Sequence, residues 1–207
     1  MVSVLEVRNV ARSFGRRRVL KDVNFALKRG EMAGIVGENG SGKTTLLKTI
    51  VGLISPSSGE VVVRGKVGYC PQEMLVFETL TVHENFAFFA AAYGLGRGPG
   101  SDGWHGRESF LLSRFGFAPY RDVLVSNLSG GTRQKLNLSL AVLHEPGLLI
   151  LDEPYSGFDW ETYLHFWDYA AELKAAGAGL LVVSHFLYDW SRFDTVYELR
   201  EGALQCV

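Results

Sequence analysis

The sequence predicts an α/β fold: a parallel-sheet core with an N-terminal antiparallel β-subdomain and an inserted α-helical subdomain. Three observations predict it. Val2, Val4, Glu6 and Arg8, followed by Val19–Leu27, alternate as strands do. A glycine-rich loop, Gly37–Thr44, lies between the apolar run Met32–Val36 and the helix-like Thr45–Leu53. Two short continuous apolar runs, Leu148–Leu151 and Leu180–Val183, have the length and make-up of buried parallel strands.

Along the chain, the first strands should be short and antiparallel, with a turn at Gly15–Arg18. Val61–Val63 and Val67–Tyr69, split by Arg64-Gly-Lys66, read as a further strand pair. The pattern then becomes helical. Thr81-Val-His-Glu84 has capping-box spacing, so a helix should start near Val82 and run through Phe86–Tyr93. Gly94–Gly106, rich in glycine and broken by Pro99, reads as a mobile connection. Trp104–Phe117 and Thr132–Leu143 read as helices, as does Trp160–Ala175, with Trp160, Leu164, Trp167 and Ala171 on one apolar face. The Met32–Val36 strand and the two late strands can share one parallel sheet, joined by right-handed crossovers, with ligand at the strands' C-terminal ends.

Composition bounds the function. The chain has 207 residues, is 47% hydrophobic and 21% charged, and so can bury a real core rather than remain disordered. A formal net charge of −1 gives no global field for nucleic acid, and no nucleic-acid partner is expected. The apolar stretch Phe86–Tyr93 is far too short to span a bilayer. Met1–Arg8 alternates and carries charges, so it does not read as a secretory signal. Cys70 and Cys206 lack metal-ligand or redox spacing and read as reduced thiols of a cytosolic protein. Arg16–Arg18 is the densest basic run and reads as a solvated hairpin turn, with a lipid-headgroup contact as the lesser alternative.

The chemistry begins at Gly37-Glu-Asn-Gly-Ser-Gly-Lys-Thr44, which satisfies the phosphate-loop pattern GxxxxGK(S/T) in its required strand–loop–helix setting. Its glycines let successive N–H groups point inward at phosphate oxygens, and the following helix adds its positive dipole end. Gly37, Asn39, Gly40, Ser41, Gly42, Lys43, Thr44 and Thr45 are the expected nucleotide-binding residues. Lys43 would reach the β- and γ-phosphates, and the Thr44 hydroxyl would bind Mg²⁺. Asp152 and Glu153 end the Leu148–Leu151 run, where an aspartate can hold Mg²⁺ and the next acid can polarise a water as general base. Ser129-Gly130-Gly131 is a second small-residue turn opening a second helix, with Ser129 a natural N-cap. Taken alone, that turn would only cap.

With these motifs the chain resembles the ATP-binding cassette (ABC) ATPases, the nucleotide-binding subunits of ABC transporters. Leu128-Ser-Gly-Gly-Thr132 is similar to the LSGGQ-like signature, with Thr for the commoner Gln. Phe14 matches the A-loop aromatic that stacks on adenine, Gln72 the Q-loop glutamine, Ser156-Gly-Phe-Asp159 the D-loop and His185 the switch histidine. Alone, Phe14 would pack under the sheet, Gln72 would cap a turn, Asp159 would N-cap the Trp160 helix and His185 would be a structural histidine. The resemblance implies a P-loop NTPase (RecA-like) core in one domain over 1–207, with 1–73 and 146–207 forming the β-subdomain and core, and 74–145 the helical subdomain.

The resemblance further implies two cassettes closing head to tail around two ATP molecules. Thr44, Gln72 and Asp152 would serve Mg²⁺, Glu153 would be the base, and His185 would orient the attacking water. Ser129, Gly130 and Gly131 would meet the opposite chain's ATP, and Asp159 would communicate between chains. Phe77, Phe86, Phe88, Phe89 and Tyr93 read first as core, and in the family this region also receives a short helix of a transmembrane subunit. A peripheral transport ATPase at the cytoplasmic face of the membrane, paired with a transmembrane subunit and a second cassette of the same or different kind, is therefore expected. The chain departs from the family in its Phe158 and its short segment before Gln72, and no C-terminal regulatory domain is expected. A soluble cassette protein of DNA repair or translation is the main rival. Against it stand the single cassette, the absence of sustained heptads and the lack of basic surplus. A regulatory module that uses ATP only to dimerise is a third reading.

Overall fold

The alternating N-terminal residues fold as one antiparallel hairpin. In the computed structural model, which describes residues 2–96, 103–185 and 189–207, β1 (Ser3–Phe14) and β2 (Arg17–Lys28) pair from Ser3–Lys28 to Phe14–Arg17. The strands are long rather than short, and the turn is confined to Gly15 and Arg16, so Arg17 and Arg18 belong to β2. Irregular register, with Asn9 and Asp22 at positive φ, lets the ribbon bend without ending.

The chain then enters the core through β3 (Met32–Val36) and α1 (Lys43–Ile50), and returns through β4 (Ser58–Val63) and β5 (Val67–Cys70). The expected pairing of these last two strands does not occur: β4 lies beside β1, while β5 joins the other sheet. Arg64 marks the point of separation. Its N–H donates to Val4 O at 2.9 Å and its guanidinium to Ser3 O and Glu6, so the chain is pinned at the sheet boundary instead of folding back.

Among the described residues, four α-helices, three short 3-10 turns and the remaining strands follow. The helix α2 (Val82–Ala92) carries the full capping box, with Thr81 Oγ1 accepting from the Glu84 N–H and Glu84 Oε2 from the Thr81 N–H. Next come α3 (His105–Arg114), shorter than read and stopped at Gly116, and α4 (Gly130–Val142), β6 (Leu148–Asp152), α5 (Trp160–Ala175) and β7 (Gly179–Val183). Then β8 (Thr195–Arg200) and β9 (Ala203–Cys206) form a hairpin that periodicity did not reveal, because both strands are only partly buried and carry no continuous apolar run. Of the connection read as mobile, residues 97–102 lie outside the described residues. Among the described residues no helix is long and apolar enough to cross a membrane.

The large sheet has the order β5-β6-β7-β3-β8-β9, with β3 parallel to both β7 and β8. Its central strands are buried on both faces, which is why they read as unbroken apolar runs. Alternation sorts their side chains into two layers. Leu149, Leu151, Leu180 and Val182 pack against the helices, while Leu148, Ile150, Leu181 and Val183 pack toward the N-terminal hairpin and α1.

The apolar face read for α5 is a correction. Trp160 is 72% and Leu164 38% exposed, and Ala171 is exposed; of the four, Trp167 alone is buried. Thr162, Phe166, Tyr169 and Ala170 face inward instead. This stripe has equally good helical spacing, and it wins because Tyr169 meets Phe115 beyond α3, edge to face at 5.7 Å.

Candidate active site

β3 ends in the middle of the large sheet, where the chain must turn sharply into α1. Gly37 makes the exit possible: a Cβ there would lie 2.4 Å from the Leu199 carbonyl oxygen of β8. At the far end of the loop, Gly42 is the N-cap of α1 at φ 111, and no side chain caps the helix. The first intrahelical bond runs from the Leu46 N–H to Gly42 O, leaving the N–H groups of Lys43, Thr44 and Thr45 for a ligand. Lys43 is buried. Its ammonium donates to Gly37 O at 2.6 Å and Glu38 O at 3.0 Å, and lies 3.4 Å from His185 Nδ1. Burial pulls its pKa down, against the opposing pull of the Glu153 and Asp152 charges.

Asp152 closes β6 opposite Val183 of β7, almost wholly buried. Its Oδ2 is enclosed and has no hydrogen-bond partner, and burial, then the Glu153 charge, push its carboxyl up to about 6. Thr44 and Gln72 line the same cavity. A carboxylate oxygen without a partner, a hydroxyl and an amide lining one cavity are a donor set that fits a hard divalent cation such as Mg²⁺.

Glu153 stands at φ 50, a backbone conformation unusual for a side chain of its size. Its surroundings over-determine it. The Glu153 N–H donates to Val183 O, Oε1 accepts from the His185 N–H at 2.6 Å, and Oε2 accepts from Ser184 Oγ at 3.0 Å. The His185 ring lies 3.6 Å from the same Oε1. The carboxylate is thus held in one orientation at the cavity wall.

That cavity, of about 450 Å³, brings together Phe14, Asn39, Gly40, Gly42, Lys43, Thr44, Thr45, Gln72, Asp152, Glu153 and His185. Gly37 and Ser41 do not line it; Gly37 serves the close passage to β8, and Ser41 Oγ is enclosed without a partner. Phe14 is half-exposed with the Arg12 guanidinium 4.6 Å from its ring centre. Ser129, Gly130, Gly131 and Asp159 lie outside the cavity. Ser129 caps α4 by accepting from the Thr132 N–H, and Asp159 caps α5 by accepting from the Thr162 N–H at 2.7 Å. A second cavity of about 830 Å³ holds Asp159 and shares Glu153 and His185 with the first.

Three residues of the site escaped the sequence reading. Ser184 fixes Glu153, and Arg17 and Val19 line the first cavity. Alternation along β2 could have found the last two, since they share a face and Arg17 pairs with Phe14 across the hairpin. A turn spanning Gly15–Arg18 hides them, because it places Arg17 in a solvated basic run instead of in β2.

A phosphate loop, a strand-end carboxylate pair and a signature-type helix around one mostly parallel sheet are the parts of an ATP-binding cassette. A family model described as ABC transporter matches residues 20–156. The chain is 32% identical over 198 residues to the linearmycin resistance ATP-binding protein LnrL of Bacillus subtilis, covering 90% of this chain and 62% of that protein. It is also 32% identical over 212 residues to ABC transporter G family member 20 of Dictyostelium discoideum, covering 97% of this chain and 28% of that protein. The chain therefore spans less than two thirds of the length of either relative. Among solved structures, an ATP binding subunit of an ABC transporter superposes with a TM-score of 0.89 at 30% identity, covering 99% of this chain and 90% of that one. A cassette solved as a dimer in a post-hydrolysis state with ADP and Pi superposes with a TM-score of 0.85 at 25% identity, covering 97% and 96%. The chain belongs to the ABC transporter family and is an ATPase cassette of it.

Proposed function

We propose that the chain is the ATP-hydrolysing subunit of an ABC transporter, working with a transmembrane subunit and a second cassette at the cytoplasmic face of a membrane. The observation that carries this reading is a site divided in two. Phe14, the phosphate loop, Asp152, Glu153 and His185 share one cavity, whereas Ser129–Gly131 stands apart from it. A signature turn outside the cavity of its own chain is available to a partner's nucleotide.

In this reading adenine stacks on the face of Phe14 not covered by Arg12, and Lys43 with the Gly40–Thr45 backbone holds the phosphates. Thr44, Gln72 and Asp152 would hold Mg²⁺, which when bound offsets phosphate charge. Glu153, fixed by Ser184 and His185, takes the proton from the attacking water, and the His185 ring orients that water. ATP acts as glue between two cassettes, and hydrolysis removes the charge that holds them. Residues 74–145 would form the helical subdomain within one domain over 1–207. Its exposed Leu75, Phe77 and Phe88, with the two phenylalanine rings 4.6 Å apart, support docking of a membrane subunit there.

Phosphate release and light scattering test the reading. Glu153→Gln should lower turnover by about 10²–10⁴-fold and give an ATP-dependent dimer, while Lys43→Ala should stay monomeric and inactive. Unchanged turnover in Glu153→Gln, in a preparation that Lys43→Ala inactivates, would overturn the assignment of the base.

A further inference from the structure

The hairpin tip beside the nucleotide cavity carries a cation that takes no part in the roles of Lys43, Asp152, Glu153 and His185. Arg17 opens β2 opposite Phe14 in the register, and lines the same cavity as Phe14 and Lys43. Val19, two residues on and therefore on the same face, also lines the cavity and touches the phosphate loop: a Cβ on Gly42 would stand 3.3 Å from Val19 Cγ1. The strand thus runs from the aromatic end of the site toward its phosphate end. Two residues of strand cover roughly 7 Å, so Arg17 starts about that far back from the residue that touches Gly42. An arginine side chain can cross that gap.

The guanidinium is free to do so. Arg8, Arg64, Arg114 and Arg133 each pair with a carboxylate, and Arg12 lies over Phe14, whereas among the described residues Arg17 has no ion pair, hydrogen bond or ring contact from its side chain. The cavity wall also needs positive charge. It carries two carboxylates, Asp152 and Glu153, against one buried ammonium, Lys43, which sits at the loop's inner end. Among the described residues that line the cavity, Arg17 is the one arginine and Lys43 the one lysine. A planar, doubly donating group there matches a phosphate oxygen pair.

We propose that Arg17 binds the α-phosphate of the bound nucleotide. The proposal rests on the reading of this cavity as an ATP site. Titration calorimetry of the full chain with ATP, ADP and adenosine, each with Mg²⁺, tests it. Arg17→Ala should weaken ATP and ADP by the same factor, about ten-fold or more, and leave adenosine unchanged. Arg17→Lys should recover part of the loss, and the melting temperature without nucleotide should not move, since the side chain has no partner to lose. Equal affinities in wild type and Arg17→Ala would overturn the proposal, as would a loss confined to ATP or one shared by adenosine. If the wild-type chain bound no ATP, the reading of the cavity itself would fail instead.

Discussion

The helices α1 and α4 both open at a turn of small residues, yet they are built for opposite situations. At α1 the N-cap is Gly42, no side chain caps the first turn, and the groups nearby are left unsettled: Asp152 Oδ2 and Ser41 Oγ lack partners, and Glu153 sits at positive φ. At α4 the Ser129 hydroxyl caps the first turn from within, and also meets Thr132 Oγ1 at 2.9 Å. One helix start keeps its donors for a ligand in its own cavity. The other is settled without one. Its two glycines divide further: a Cβ on Gly130 meets nothing, but a Cβ on Gly131 would lie 2.5 Å from the Gly157 carbonyl oxygen in the loop before α5. Gly131 therefore has a duty inside its own chain, whatever it meets outside. Similar composition at two helix starts thus conceals one start left without a side-chain cap inside a cavity and one capped by its own serine.

The comparison can be broken at either helix. The largest effect should come from Asp152→Asn. Burial raises the folded-state pKa of Asp152 to about 6 from its usual 3.8, so its proton stabilises the fold at low pH and the benefit is lost as pH rises through 6. The variant should be more stable than wild type at pH 7–8, by at most about 3 kcal/mol, with the gain vanishing near pH 4. Urea melts of the nucleotide-free chain across pH measure this, and a variant less stable at pH 8 would contradict the charge account.

Next, Gly131→Ala should cost about 2 kcal/mol through the clash with Gly157, in a chain that holds no nucleotide, while Gly130→Ala should cost far less. Equal losses in thermal melts of the two variants would remove the in-chain duty assigned to Gly131. The smallest effect belongs to Ser129→Ala, about 1 kcal/mol for a lost cap. If Ser129→Ala left the melting temperature unchanged, α4 would be no better settled than α1 and the contrast would dissolve.

Much of this was legible beforehand. The phosphate loop, the capping box at Thr81–Glu84, the bounds of α5 and the apolar runs of β6 and β7 depend on local chemistry within a dozen or so residues, and local chemistry is written in order along the chain. What failed depended on a choice between equivalent local solutions. Either stripe of α5 has helical spacing, and only packing against Tyr169's neighbours selects one. β4 and β5 are both good strands, and only pairing with β1 on one side and β6 on the other, with Arg64 held to Ser3 and Glu6 between them, puts them in different sheets.

Motif spacing is enough to point to a triphosphate-type ligand on a mostly parallel sheet and to name the residues that carry the motifs, because it restricts how glycines, a lysine and strand-end carboxylates can be used. Which of those residues meet depends on how the strands assemble in three dimensions. That assembly draws Phe14, Lys43, Gln72, Asp152, Glu153 and His185 to one cavity, leaves Ser129–Gly131 and Asp159 outside it, and adds Arg17 and Ser184. The physical reason is that a shared site is set by strand order and register across the sheet, and residues far apart in the chain become neighbours only when β3, β6 and β7 are laid side by side.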